Sequence, residues 1–214
     1  MSLHDFIDRH QDESAYVIGK GPTLDLFLEQ PEGSLLICVN EAALVVRDPT
    51  YFFAHDGVHI ANVADPLRHI TAAGDPNGLD HMRRSYPPGC VAIVREEHKD
   101  LAIAEGIPAG SVYTYRKAQE KKALLGLNAQ ELAASGELYG ESCTTQSALH
   151  FAKLCGCREV VMVGIDGGFE YAKCLGGMGL IKGAWYDKNR GDTCRILQEM
   201  GMPFRFWREP DGVE

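Results

Sequence analysis

The chain has 214 residues, 45% of them hydrophobic, which is enough for one sizeable buried core, and its formal net charge is −9 at pH 7. That acidity argues against a general binder of nucleic-acid backbones, and no apolar run approaches the roughly 20 residues that a membrane span needs. Seven cysteines, with Cys155-Gly156-Cys157 off the CxxC spacing of redox and zinc pairs, and a polar, acidic N-terminus fit a reduced, cytoplasmic protein.

The first informative stretch is Ala15 to Phe27, AYVIGKGPTLDLF. Tyr16, Val17 and Ile18 read as a buried strand that enters a glycine-broken turn and then a helix. Gly19 and Gly21 permit a sharp turn and a close approach to a ligand. Pro22 has a φ suited to a first helical turn, and Thr23 reads as an N-cap ahead of the helical spacing of Leu24, Phe27 and Leu28. A strand feeding a helix in this way aims backbone N–H groups and a positive dipole end at one point, which suits a phosphate. The stretch is neither the GxGxxG dinucleotide fingerprint nor a P-loop.

After a break at Pro31-Glu32-Gly33, the run Leu35 to Val39 predicts a strand buried on both faces, ending on Asn40. A short helix through Ala42, Ala43 and Val46 follows. Tyr51 to Ala54 is a third strand, ending on His55-Asp56. Asp65-Pro66 reads as a helix start, 74–78 as a loop, Cys90 to Val94 as a fourth strand, Leu101 to Ala104 as a short helix and Val112 to Tyr115 as a fifth strand. Residues 117–138 predict one or two helices that cover the site as a lid. His55, His59, His69, His81, His98 and His150 lack metal-site spacing, and most read as surface or core histidines.

Glu141 to Asp166, ESCTTQSALHFAKLCGCREVVMVGID, is the second informative stretch. Ala148, Phe151, Ala152 and Cys155 share one helical face, and Gly156 ends the helix. Val160 to Val163 predicts a strand that stops at Gly164 and leads to Asp166. Ser142, Thr144 and Thr145 at the helix start offer hydroxyls and free N–H groups as a second anion site. A glycine-rich loop over 167–184 reads as a mobile cover, Trp185 to Met200 as a helix, and Phe204 to Trp207 as a last strand.

Together these elements predict an α/β, Rossmann-like, mostly parallel sheet with helices on both faces, in one domain over 1–214. In such a sheet the carboxyl ends of the strands share one edge, where ligands bind. Lys20, Asn40, Asp56 and Asp166 all fall at predicted strand ends, and their convergence on one edge points to a ligand site.

GKGPTL (Gly19 to Leu24) resembles the GxGPSL motif of the bacterial sialyltransferases that use CMP-sialic acid, and of the related MptE-like 6-hydroxymethylpterin diphosphokinases. The Cys-Val-Asn ending at Asn40, the Phe-Phe-Ala-His-Asp ending at Asp56, and the helix and strand from Thr144 to Asp166 extend the resemblance. It implies a glycosyltransferase-type fold with nucleotide phosphates at Gly19, Lys20, Gly21, Pro22 and Thr23. The ribose and base would lie near Asn40, Thr144 and Thr145, with Gly164 alongside, and the transferred group near Asp56 and Asp166. In the sialyltransferases a histidine before the last helix is the general base, and nearby tyrosines hold the phosphate. Here that segment, GAWYDKNRGD, has Tyr186, Lys188 and Arg190 but no histidine, and its opening motif has Lys20 in place of asparagine.

An inverting transfer needs a base, for which Asp166, Asp56, His55 or Glu170 are candidates. Tyr186 with Lys188 would stabilise the leaving phosphate in a metal-free reaction. The resemblance thus implies a nucleotide-sugar-dependent glycosyltransferase with no required cofactor and an unknown acceptor. An MptE-like diphosphokinase, moving pyrophosphate from ATP with Mg²⁺ at Asp56 and Asp166, is the alternative, and a non-catalytic nucleotide-binding protein the third reading. The sequence leaves the assembly state open, a homo-oligomer included.

Overall fold

The computed structural model describes residues 2–27, 31, 33–72, 82, 85–118, 122–168, 170–176 and 183–207. The expected loop at 74–78, His81 and the 177–182 part of the glycine-rich cover lie outside the described residues.

Eight strands form one sheet: β1 (Ser14–Ile18), β2 (Leu35–Val39), β3 (Tyr51–Ala54), β4 (Val91–Arg95), β5 (Val112–Ala118), β6 (Glu137–Tyr139), β7 (Glu159–Val163) and β8 (Phe204–Phe206). Their spatial order is β6-β5-β4-β3-β2-β1-β7-β8, and every pairing is parallel. The α/β, Rossmann-like reading therefore holds. Among the described residues, six α-helices accompany the sheet: α1 (Gly57–Ala64), α2 (Pro66–Ala72), α3 (Lys99–Ala104), α4 (Ala129–Ser135), α5 (Thr144–Leu154) and α6 (Gly183–Glu199).

The near-continuous apolar strands follow from burial on both faces. One core layer combines Val17, Ile37, Phe53, Ile93 and Tyr115 with the inner faces of α4, α5 and α6. The other combines the alternate strand residues Ile18, Cys38, Phe52, Ala92 and Val94 with α1 and α3. Both layers obey the two-residue period of strand side chains.

Strand order sets the site. From β1 the chain builds outward through β2 to β6, and α5 then crosses back over β1, β2 and β3 to deliver β7 on the other side of β1. The switch in winding direction lies between β1 and β7, where open parallel sheets form a crevice at the carboxyl ends of the strands.

Several elements differ from the sequence reading. The helix expected after Gly21 is a single 3-10 segment, Pro22–Leu26, with Gly21 rather than Thr23 at its N-cap position. The one after β2 is another, Asn40–Leu44. α1 begins directly after Asp56, ahead of the helix expected at Pro66. Residues 117–138 are not simply a helical cover: Lys117 lies on β5, and β6 occupies 137–139. Leu125, Leu132 and Leu138 are buried in the core, and Leu124 is buried beside them in sequence, because this segment builds the far edge of the sheet.

Candidate functional site

A cavity of about 440 Å³ opens along the carboxyl ends of the strands. Gly19, Lys20 and Gly21 after β1, Asn40 after β2, His55 and Asp56 after β3, Arg95 and Lys117 at the ends of β4 and β5, and Gly164 to Gly167 after β7 all line it. Ser142, Cys143, Thr144 and Thr145 at the start of α5 close one side. Glu170 and Tyr171, with Tyr186, Asn189, Arg190 and Thr193 of α6, close another.

Of the residues singled out in the sequence, Gly19, Lys20, Gly21, Asn40, Asp56, Thr144, Thr145, Gly164, Asp166 and Tyr186 thus meet at one cavity. Pro22, Thr23 and Lys188 do not line it. Pro22 is exposed, Thr23 is buried behind the cavity wall, and Lys188 is exposed on α6. The cavity face of α6 carries Tyr186, Asn189, Arg190 and Thr193, at the i, i+3, i+4, i+7 spacing of one helical stripe. Lys188 falls off that stripe.

The β1 and β7 ends interlock. Gly19 N–H donates to Val163 O at 2.7 Å and Gly21 N–H to Gly164 O at 2.7 Å. Thr23 N–H donates to Asp166 Oδ2 at 2.8 Å, and the Thr23 hydroxyl to Asp166 Oδ1 at 2.6 Å. The same hydroxyl accepts from Gly164 N–H at 2.8 Å. A Cβ on Gly19 would sit 2.5 Å from Gly164 O, and one on Gly21 would sit 2.5 Å from Asp166 Oδ2. The two motif glycines are therefore explained by close packing of two loops, and the Gly19, Gly21 and Thr23 N–H groups are engaged within the protein. Both Asp166 oxygens are occupied by Thr23, so Asp166 fixes the loop that borders the cavity.

Lys20 points elsewhere. Its Nζ is 2.7 Å from Glu41 Oε2 and 4.5 Å from the centre of the Tyr171 ring. Glu41 is 2% exposed and also accepts at Oε1 from Asn62 Nδ2 (2.8 Å), with His59 Nδ1 2.6 Å from the same oxygen. Burial alone would push the Glu41 carboxyl up. The His59 hydrogen bond and the Lys20 charge more than reverse this and hold it well below the ordinary carboxylate range.

At the β3–β5 side, Arg95 and Lys117 occupy adjacent strands and both face the cavity. Burial, then the Arg95 charge, pushes the Lys117 ammonium down. His55 is pushed down to about 3 by burial and by the charges of Lys117 and Arg95, and its Nε2 lies 3.0 Å from Ser147 Oγ. It is a neutral, hydrogen-bonded wall residue. His150 is structural: Nδ1 accepts from Tyr139 N–H at 2.8 Å, and Nε2 lies 3.2 Å from Leu124 O.

Two amide atoms at the cavity have no partner among the described residues. Asn40 adopts φ +56°, and its buried Oδ1 has no partner among the described residues. Asn189, 6% exposed, accepts from the Ser142 hydroxyl at 2.5 Å, but its buried Nδ2 has no partner among the described residues. Helix α5 carries no side-chain cap at Cys143. The phenolic oxygens of Tyr171 and Tyr186 lie 3.2 Å apart, and the Arg190 guanidinium stacks on Phe206 at 4.4 Å.

Sequence reasoning missed Glu41, His59, Arg95, Lys117, Tyr171 and Asn189. Arg95 and Lys117 stand at the ends of β4 and β5, just beyond the strands that the sequence predicts. His59 lies one helical turn beyond Asp56 on a helix that was not foreseen. Among the described residues, no three His, Cys, Asp or Glu side chains group so as to hold a metal ion, and no helix is long and apolar enough to cross a membrane. Comparisons with protein-family models, curated proteins and solved structures gave no match.

Proposed function

We propose that the protein is a nucleotide-sugar-dependent glycosyltransferase that binds its donor in the β1/β7 crevice and transfers the sugar, with inversion, to a hydroxyl acceptor. One observation carries this reading: strand ends β1 to β5, β7 and the N-terminus of α5 gather around a single cavity at the switch in winding direction. That cavity presents the unpartnered Asn40 Oδ1 and Asn189 Nδ2, the cationic side chains of Arg95, Lys117 and Arg190, and the start of α5, which has no side-chain cap among the described residues. In this reading the nucleotide's polar edges meet the amides. The phosphate meets the α5 N–H groups together with Tyr171, Tyr186 and the cations, which stabilise the leaving anion electrostatically. Asp166 acts through Thr23 by holding the Gly19–Gly21 wall in place.

A second reading is favoured by Asp56, whose carboxylate lines the cavity and makes no side-chain hydrogen bond among the described residues. Mg²⁺ is commonly held by one or two carboxylates plus substrate phosphates, so Asp56 with ATP would fit a diphosphokinase.

A thermal-shift panel of CMP, UDP, ATP and nucleotide sugars, with and without Mg²⁺, separates the two. A ligand at a hundredfold excess over its dissociation constant adds about 2.7 kcal/mol of apparent stability. The transferase reading expects a CMP- or UDP-type ligand to raise Tm without Mg²⁺ and its sugar conjugate to be turned over. A shift confined to ATP with Mg²⁺ selects the diphosphokinase, and no shift with any nucleotide removes both.

A further inference from the structure

We propose that His59 is the general base of this cavity, oriented by the buried carboxylate of Glu41. The inference rests on the transferase reading, in which a hydroxyl acceptor must lose its proton to attack the anomeric carbon.

Three observations combine. His59 lines the cavity from the first turns of α1, behind the unengaged carboxylate of Asp56. Its Nδ1 is 2.6 Å from Glu41 Oε1, and its Nε2 makes no hydrogen bond among the described residues. Glu41 is itself locked, with Lys20 on its other oxygen at 2.7 Å and Asn62 sharing the first at 2.8 Å. An ionised carboxylate is acceptor-only, so at this distance it requires a proton on Nδ1; in the neutral imidazole the lone pair is then on Nε2. A carboxylate behind an imidazole fixes the tautomer and ring orientation and stabilises the imidazolium that forms when Nε2 takes a proton.

Two of the candidates read from the sequence are less suited. Asp166 has both oxygens engaged by Thr23, and His55 is hydrogen-bonded to Ser147 and lies beside two cations. In the transfer, Nε2 removes the acceptor hydroxyl's proton, and the oxygen's electron pair forms the bond to the anomeric carbon. The bond from that carbon to the phosphate oxygen breaks, and its electron pair leaves on the nucleotide. Glu41 is a positioning residue in this scheme, since it acts only through His59 and Lys20.

The test uses the full chain in two parts. Long-range ¹H–¹⁵N spectra of histidine-labelled protein at pH 8 should show His59 with its proton on Nδ1. A proton on Nε2 would overturn the proposal without any ligand or variant being involved. The second part follows release of CMP from CMP-N-acetylneuraminic acid, and of the corresponding nucleotide from each nucleotide sugar that shifts Tm. His59→Gln should lower kcat about a hundredfold or more with KM little changed, and added imidazole should restore part of the rate to His59→Gly. Glu41→Gln should lower kcat and enrich the other tautomer. If wild type turns over a donor while His59→Gln stays within threefold of it, the base assignment is wrong and the transferase reading stands. If wild type turns over none of these donors, the reading fails and the base role fails with it.

Discussion

At the junction of β1 and β7, the described donors at Gly19, Gly21, Thr23 and Gly164 each meet an acceptor from the facing loop, and Asp166 closes the set with both of its oxygens. Across the same cavity, Asn40 Oδ1 and Asn189 Nδ2 are buried without a partner among the described residues, and the start of α5 has no side-chain cap there. Leaving a buried polar group unsatisfied costs about 1–3 kcal/mol, so the two regions must serve different ends. The junction lowers the energy of the empty protein. The opposite wall raises it, and a ligand that satisfied Asn40 and Asn189 would recover that cost on binding.

The contrast is tested most forcefully at Gly19. An alanine Cβ there would lie 2.5 Å from Gly164 O and 3.2 Å from both Gly164 C and Ile165 Cγ1. Two of those atoms belong to the backbone of a loop that Thr23 and Gly21 already hold, so the overlap has little room to relax. Gly19→Ala should cost about 3 kcal/mol in stability, read as a lowered urea midpoint at unchanged slope. Wild-type stability in this variant would mean that the two loops are not locked together.

The fold was legible where burial on both faces writes a plain signal. The runs at Leu35 to Val39 and Val160 to Val163 could hardly be anything but interior strands of a parallel sheet. The line of strand ends followed from that, and with it the meeting of Gly21, Asn40, Asp56, Thr144 and Asp166. What each group does there was not legible. Gly-Lys-Gly-Pro-Thr has the same sequence whether its amides face a phosphate or another loop, and only the position of Asp166, 143 residues away from Thr23, decides between them. Glu41 was hidden for a similar reason. A carboxylate beside Asn40 reads as surface, and its burial depends on Lys20, His59 and Asn62 arriving from two other segments.

Thr23 sharpens the comparison at a smaller scale. On sequence alone it is an N-cap whose replacement by valine should spare the fold and weaken nucleotide binding. Its hydroxyl instead bridges Gly164 N–H to Asp166 Oδ1. Thr23→Val would strand that N–H and remove one partner from the carboxylate, at about 2 kcal/mol of stability. Titration of the still-folded variant with the nucleotide that gives the largest thermal shift should return a near-normal dissociation constant. A large loss of affinity without loss of stability would place Thr23 against the ligand after all.

The smallest change in stability is expected on the opposite wall, at Asn40. Its φ of +56° lies in the left-handed region, which glycine enters without strain, and its Oδ1 has no partner among the described residues to lose. Asn40→Gly should therefore unfold within about 1 kcal/mol of wild type. Asn40→Ala should be less stable than the glycine variant by about 1 kcal/mol, because its Cβ meets the left-handed backbone. Both should bind the nucleotide several-fold more weakly, by the value of one hydrogen bond of about 1 kcal/mol. Loss of affinity without loss of stability at Asn40, set beside the reverse at Thr23, is the pattern that a self-satisfied junction and an unsatisfied ligand wall must produce. If instead Asn40→Gly binds as tightly as wild type, the unpartnered amide is not waiting for a ligand, and the nucleotide's polar edge must be met by Asn189 and α5 alone.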